Sequence, residues 1–271
     1  MKDQAYYPSW RKLSKYGQYL SYFGEYIRYN DWNSLAASVI LVLFNKPPGK
    51  TWQATSAMGR FRIRKGTTDF QFINYAYERR VRNYLKEQVA AKAIGSFIDI
   101  GACIGEYDVW LAAQGVPCVA FEPVNYKAVE ENLRLNGVDD KVKLYASGLG
   151  SRREKVNFVV MGTVTGSSHI DRDHKNGGNI PIERLDDLVP QLELNLRERI
   201  IVKLDVEGME TEVLEGARNF IGDTPDLRII FERYEGDNTV NDKLSSMGNF
   251  EFTRIDQYNY LATKKATTWC P

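Results

Sequence analysis

An α/β fold, with a mostly parallel sheet covered by helices on both faces, is predicted for most of this chain. Three observations carry the prediction. From Gly95 onward, short apolar segments alternate with helical ones. The first apolar segment feeds directly into a glycine turn, in SFIDIGACIGEYDVW at 96–110. The stretch FEFTRIDQYNYLATKK, 250–265, alternates about a turn at Gln257–Asn259 and reads as a closing antiparallel hairpin.

In chain order, residues 1–50 form an aromatic, basic extension. Tyr16, Tyr19, Phe23 and Tyr26 recur at helical spacing, and the segment carries seven Lys/Arg against three Asp/Glu. LAASVILVLF, Leu35–Phe44, is the longest apolar run; as a helix it is about 15 Å long, half the roughly 30 Å needed to span a bilayer. Two readings stand for this extension: a helical element packed on the catalytic domain or against a second copy, or an interfacial helix pair on an anionic membrane near a lipid-linked substrate. NKPPGK at 45–50 is a linker.

Residues 51–94 precede the core. TWQATSAMGRFRIRKG reads as a hairpin turning near Met58–Gly59, and Thr68 or Asp69 caps a helix running to about Ala93. The core, 95–271, has strands at Phe97–Ile100, Cys118–Phe121, Val142–Tyr145, Ile201–Leu204 and Leu227–Phe231. With the closing hairpin these make a seven-stranded sheet. Helices fit Ile104–Ala113, Tyr126–Asn136 and Met209–Phe220, while KVNFVVM (155–161) and NIPIERLDDLV (179–189) are excursions between the third and fourth strands.

Composition narrows the function classes. The chain has 271 residues, 43% hydrophobic and 26% charged, with a net charge of +1, so nucleic acid gains no overall electrostatic support. Cys103, Cys118 and Cys270 are scattered, odd in number and outside metal-type spacing, which predicts a reducing, cytoplasmic setting without structural zinc. Met1–Trp32 lacks the apolar core segment of a secretory signal.

The turn Gly101-Ala102-Cys103-Ile104-Gly105 sits where parallel sheets bind ligands, and Glu122 ends the next strand, 21 residues after Gly101. An acid there accepts hydrogen bonds from a ribose diol. A dinucleotide loop needs a second glycine where Cys103 stands, so that backbone can approach a pyrophosphate. Asp99, just before the loop, repels phosphate and suits a cation. S-adenosylmethionine, with a ribose diol, a sulfonium, an ammonium and no phosphate, fits Asp99 and Glu122 better than NAD.

The motifs FIDIGACIGEY (97–107), AFEPVNYKAVEENLRLNGV (120–138) and IVKLDVEGMETEVLEGA (201–217) resemble those of the FkbM family of S-adenosylmethionine-dependent methyltransferases. RKGTTDFQFINYAYE (64–78) resembles the family's upstream helix entry, and IERLDDL and RIIFE add weaker matches. The Lys-x-Asp-Val-Glu-Gly signature at 203–208 makes the resemblance specific; Cys103 departs from it, where the family usually has Asn. The resemblance implies a Rossmann-like class I methyltransferase fold and methyl transfer to oxygen, typically a hydroxyl of a sugar or small metabolite. It places Tyr77 and Glu78 near the methionine end of the cofactor. The candidate cofactor-binding set is Glu78, Asp99, Gly101, Ala102, Cys103, Gly105, Glu122, Ser147 and Asp205.

An oxygen acceptor has separate support. N-methyltransferases commonly follow the fourth strand with an Asp/Asn-Pro-Pro-aromatic loop, whereas this chain has Leu204-Asp205-Val206-Glu207-Gly208. A sugar hydroxyl is a poor nucleophile at neutral pH and calls for a base or a metal. His169 is the first-ranked base, with His174 in the same loop. Lys203, Asp205 and Glu207 share one side if the strand stays extended, with Lys203 orienting the carboxylates. In a second mechanism Asp205, Glu207 and Glu232 hold a divalent metal that acidifies a diol. The expected reaction is O-methylation of a sugar, glycan or glycolipid. Alternatives are a natural-product, protein or RNA acceptor, an inactive binding module, and a dehydrogenase or epimerase.

Overall fold

The computed structural model describes residues 15–159, 169–170 and 178–265, with backbone alone at 159, 169 and 170. Its centre is a seven-stranded sheet. Strands β3 (Ser96–Ile100), β4 (Cys118–Phe121), β5 (Val142–Tyr145), β11 (Ile200–Leu204) and β12 (Leu227–Glu232) are parallel to one another. β13 (Phe250–Arg254) and β14 (Asn259–Lys264) close one edge as an antiparallel hairpin, and β14 is the strand that pairs with β12. The order is β13-β14-β12-β11-β3-β4-β5. The chain therefore builds outward from β3 to β5, then returns to β3's other side with β11. Such a reversal leaves a crevice beyond the carboxyl ends of β3 and β11.

Every residue of β3, β4 and β11 is buried, as expected of strands with helices on both faces. One face packs against α5 (Glu106–Ala112) and α6 (Tyr126–Asn136), with Val109, Leu111, Val129 and Leu133 in one apolar cluster. The other carries Ile98, Ile100, Val202 and Leu204 against α7 (Leu185–Leu192), α8 (Glu210–Gly216) and α9 (Arg218–Asp223).

The hairpin of β1 (Trp52–Ser56) and β2 (Gly59–Ile63) forms as expected and is pinned to α6. Asn136 Oδ1 accepts from the Arg60 amide and Asn132 Oδ1 from the Arg62 amide, each at 2.9 Å. Four residues apart on α6, the two side chains match alternate residues of β2. Arg64 then forks onto Asp69, at 2.7 and 3.0 Å, and reaches Asn125 Oδ1 at 2.8 Å.

Several expected boundaries shift. The helix predicted over 68–93 is two, α3 (Asp69–Phe72) and α4 (Arg79–Ala90), because Glu78 adopts a left-handed backbone, φ 46°. The segment predicted at 209–220 breaks into α8 and α9 at Ala217, and α5 begins two residues after Ile104. The excursions form a small sheet of β6 (Gly148–Leu149), β10 (Ile180–Glu183) and β7 (Glu154–Val156), followed by α7. A two-residue strand, β9 (His169–Ile170), pairs with β8 (Phe158–Val159). α10 (Thr239–Met247), outside the expected elements, packs Leu244 beneath the sheet.

The extension supplies α1 (Tyr16–Arg28) and α2 (Trp32–Phe44). Asp31 caps α2 by accepting from the Ser34 amide at 3.1 Å. Tyr26 donates its hydroxyl to the Phe70 carbonyl at 2.9 Å, and Asn74 donates to the Tyr22 carbonyl at 3.0 Å. These bonds dock α1 on the segment leading to Glu78. Among the described residues no helix is long and apolar enough to cross a membrane.

Tyr26 is 3% exposed and its ring lies in the core, so Tyr26→Phe keeps the packing and leaves the Phe70 carbonyl unpaired. A loss of about 1–2 kcal/mol in urea unfolding is expected.

Candidate functional site

The glycine loop begins where β3 ends. The Gly101 and Ala102 amides both donate to the Phe121 carbonyl, at 3.0 and 3.2 Å, tying the loop to β4. Gly101 has φ 93°, and a Cβ there would lie 2.0 Å from the Asp205 carbonyl oxygen. Only glycine lets the β3 loop and the β11 loop approach so closely. The Asp205 amide, in turn, donates to the Ile100 carbonyl at 3.0 Å.

Cys103 also has a positive φ, 53°, a conformation that Asn accepts more readily than most residues. The Cys103 amide points at Glu122 and donates to its Oε2 at 2.9 Å. The other oxygen of Glu122 accepts from Val124 and Asn125, both at 2.8 Å. Burial pushes the Glu122 carboxyl up and the three amides pull it down. The residue expected to meet a ribose thus also ties the glycine loop to the start of α6, with about one of its roughly four acceptor positions left over.

Lys203 and Asp99 are register partners on β11 and β3, both buried. Lys203 donates to Asp205 Oδ2 at 2.5 Å, and its ammonium lies 5.3 Å from the Tyr107 ring centre. Burial alone would lower the Lys203 pKa; Asp205, Glu78 and Asp99 outweigh it and raise it well above its ordinary value. Tyr107 donates to Glu78 Oε2 at 2.8 Å. Glu78 Oε1, Asp99 Oδ1 and the buried Ser147 hydroxyl have no hydrogen-bond partner among the described residues.

Asp99 lies beside Asp108 of α5. Burial raises both carboxyls; the Asp108 charge raises Asp99 further, whereas the Glu106 charge raises Asp108 and a hydrogen bond with Asp99 lowers it, and two carboxyls can bond only if one keeps a proton. Glu106, two residues earlier, is pushed up to about 8 by burial, against the pull of Arg82 and Lys203. Neither Glu106 nor Asp108 stood out in the sequence. Their one signal was position, two acids in the first turn after the glycine loop, a pattern that helix-dipole preference already explains.

Asp205 and Glu207 part company. The Gly208 amide closes a tight turn onto the Val206 carbonyl at 2.7 Å, so the strand does not stay extended. Asp205 turns in to Lys203 with its side chain 39% exposed, while Glu207 is exposed on the turn. Glu232, at the end of β12, accepts from the Tyr234 hydroxyl at 3.0 Å. Burial, then the carboxylates of Asp205 and Glu78, push Glu232 up to about 8. The Asp205–Glu207–Glu232 metal group is not assembled: among the described residues no three His, Cys, Asp or Glu are placed to hold an ion. His169 falls in β9 rather than in a loop, with its side chain outside the described residues, and His174 lies outside them altogether.

Two outcomes follow. Glu122→Ala leaves three backbone amides without their acceptor and should cost about 2–4 kcal/mol in chemical denaturation. Glu106 has a folded-state pKa above its unfolded one, so its stabilising contribution is complete below about pH 4 and is lost as pH rises through about 8. The thermal midpoint should therefore fall between about pH 5 and 9, and Glu106→Gln should flatten that decline.

Comparison with known proteins bears on this site. The solved structures it resembles include the methyltransferase FkbM from Methylobacillus flagellatus KT, at 17% identity and a TM-score of 0.45 over 63% of this chain and 44% of that one. A methyltransferase from Geobacter sulfurreducens matches at 16% identity and a TM-score of 0.41, over 68% of this chain and 77% of that one. The SAM-dependent methyltransferase from Agrobacterium tumefaciens matches at 10% identity and 0.43, over 82% and 72%. The chain spans less than half the length of the first of these. No curated protein sequence matches it significantly. The Methyltransferase FkbM domain matches residues 99–261, a stretch that runs from Asp99 through the Lys203–Asp205 pair to the closing hairpin, and the chain belongs to that family of methyltransferases.

Proposed function

We propose that this chain transfers a methyl group from S-adenosylmethionine to a hydroxyl of a sugar, glycan or glycolipid. One observation carries the reading: the Lys203-held, partly exposed Asp205 carboxylate stands at the crevice between β3 and β11, its own carbonyl against Gly101.

The residues present fit a cationic nucleoside. Glu122 keeps an acceptor position for a ribose hydroxyl, and Asp99 Oδ1, Glu78 Oε1 and the Ser147 hydroxyl, unpaired among the described residues, are buried polar groups that a ligand rich in donors would satisfy. The tight Gly101–Asp205 contact and the Cys103 backbone leave no second glycine for a pyrophosphate. S-adenosylmethionine supplies an electrophilic methyl carbon when bound.

Asp205 is assigned as the base that takes the acceptor's proton. Lys203 fixes its orientation through one oxygen. Burial and the carboxylates of Asp205 and Glu78 push Glu232 toward its protonated form, in which it can donate a hydrogen bond to a neighbouring acceptor oxygen. The two carboxyls thus divide the roles of base and donor. Tyr234 and Tyr258, with ring centres 5.6 Å apart and both exposed, form an aromatic rim next to Glu232. An exposed aromatic face beside carboxyl groups suits a sugar ring, whose faces are apolar and whose edge is hydroxylated. That rim supports the glycan reading.

Calorimetric titration with S-adenosylmethionine, S-adenosylhomocysteine and NAD tests the cofactor; micromolar binding of the first two alone is expected. Transfer of labelled methyl to a panel of glycan acceptors then tests the base. Asp205→Asn should lower kcat by about 10²–10⁴, measured at saturating S-adenosylmethionine. Unchanged turnover in Asp205→Asn together with loss in His169→Gln would move the base to His169. Absence of any S-adenosyl binding would refute the cofactor assignment.

A further inference from the structure

α2 is built inside out. The residues it buries are Ser34, Ala37, Ser38 and Leu41. The exposed ones include Trp32, Ala36, Val39, Ile40, Leu43 and Phe44. At 100° per residue these six fall within an arc of about 140°, shared with exposed Asn33 near its first turn, so they form one outward, mostly apolar stripe. Trp32 is 59% exposed and Phe44 66%, while Leu41 on the inward side is fully covered. An ordinary surface helix has the opposite arrangement. On α1, Leu20 and Ile27 are exposed as well.

The charge around the stripe has one sign. No Asp or Glu occurs from Trp32 to Lys50. Lys46 and Lys50 follow the C-terminal end of α2, and Lys65 joins them because the Gly66 amide donates to the Pro48 carbonyl at 2.8 Å. All three lysines are exposed. Lys50 also donates to Asn33 at 2.8 Å, which holds the linker along the helix.

We propose that α2 docks on an anionic lipid surface, its apolar stripe sunk to the headgroup–acyl boundary and Lys46, Lys50 and Lys65 among the phosphates. Thirteen residues make a helix about 20 Å long, which lies in the interface and does not cross it. Trp32 sits at one end of the stripe, and tryptophan favours the headgroup level. A second copy is a poorer occupant. Pairing two copies through this stripe would bring the lysines that flank it on each copy together, with no acidic residue from Trp32 to Lys50 to offset them. This inference stands apart from the identity of the methyl donor.

The full chain should cosediment with vesicles of phosphatidylcholine containing about one-third phosphatidylserine, at least tenfold more than with phosphatidylcholine alone, and less at high salt. Ile40→Asp/Leu43→Asp and Lys46→Glu/Lys50→Glu should each reduce that partition at least tenfold. Brominated lipid should quench wild-type fluorescence more than that of Trp32→Phe, a readout that needs no charged variant to fold. Wild type that ignores anionic vesicles, or equal quenching of both proteins, would overturn the proposal. So would a dimer in light scattering that Ile40→Asp/Leu43→Asp converts to monomer without any vesicle binding.

Discussion

Everything at the candidate site depends on how closely two backbones meet. The loops leaving β3 and β11 touch where Gly101 faces the Asp205 carbonyl, with no room for a side chain between them. That contact aligns the ends of neighbouring parallel strands, so residues far apart in sequence share one crevice. It also fixes the origin of the Asp205 side chain, which Lys203 then orients. A single glycine thereby sets the distance between the β3 loop and the residue assigned as base.

The crevice sits over an unusual amount of buried charge. Asp99, Glu106, Asp108, Lys203 and Arg82 are all buried within the same layer of β3, β11, α4 and α5. The cations fall short of neutralising the carboxyls, and Asp99, Glu106 and Asp108 are all pushed upward. Burying charge without full pairing is costly unless a ligand or a proton compensates. A cationic ligand entering above Asp99 would lower that cost, linking binding of the cofactor to firmness of the fold beneath it.

Much of this was legible in the sequence because it is local. The alternation of apolar segments and helices, the glycine turn, Glu122 at the end of the next strand and the Lys203–Asp205 spacing are all short-range patterns. They correspond to the parallel sheet, the β3 loop and the ion pair observed. What the sequence hid depended on backbone conformation or on contacts between distant elements. Glu207 left its expected side because the strand ends in a turn at Gly208, and the proposed metal group went with it. The Asp99–Asp108 pair is invisible until α5 is laid over β3. Glu122's second role, as acceptor for three amides, appears only once the loops are folded around it.

Glu78 shows how two requirements can fall on one residue. Its left-handed backbone ends the approach from α3 and starts α4 in a new direction, and its carboxylate accepts from Tyr107. Glycine or asparagine would ease the backbone but forfeit the carboxylate; glutamine keeps the length but loses the charge that helps hold Lys203 protonated. Aspartate keeps the charge and eases the backbone, but its carboxylate is one methylene shorter for the bond from Tyr107. The position is therefore expected to tolerate change only when Tyr107, Lys203 and the bend itself change with it, so that divergence there would proceed by concerted replacement of the group.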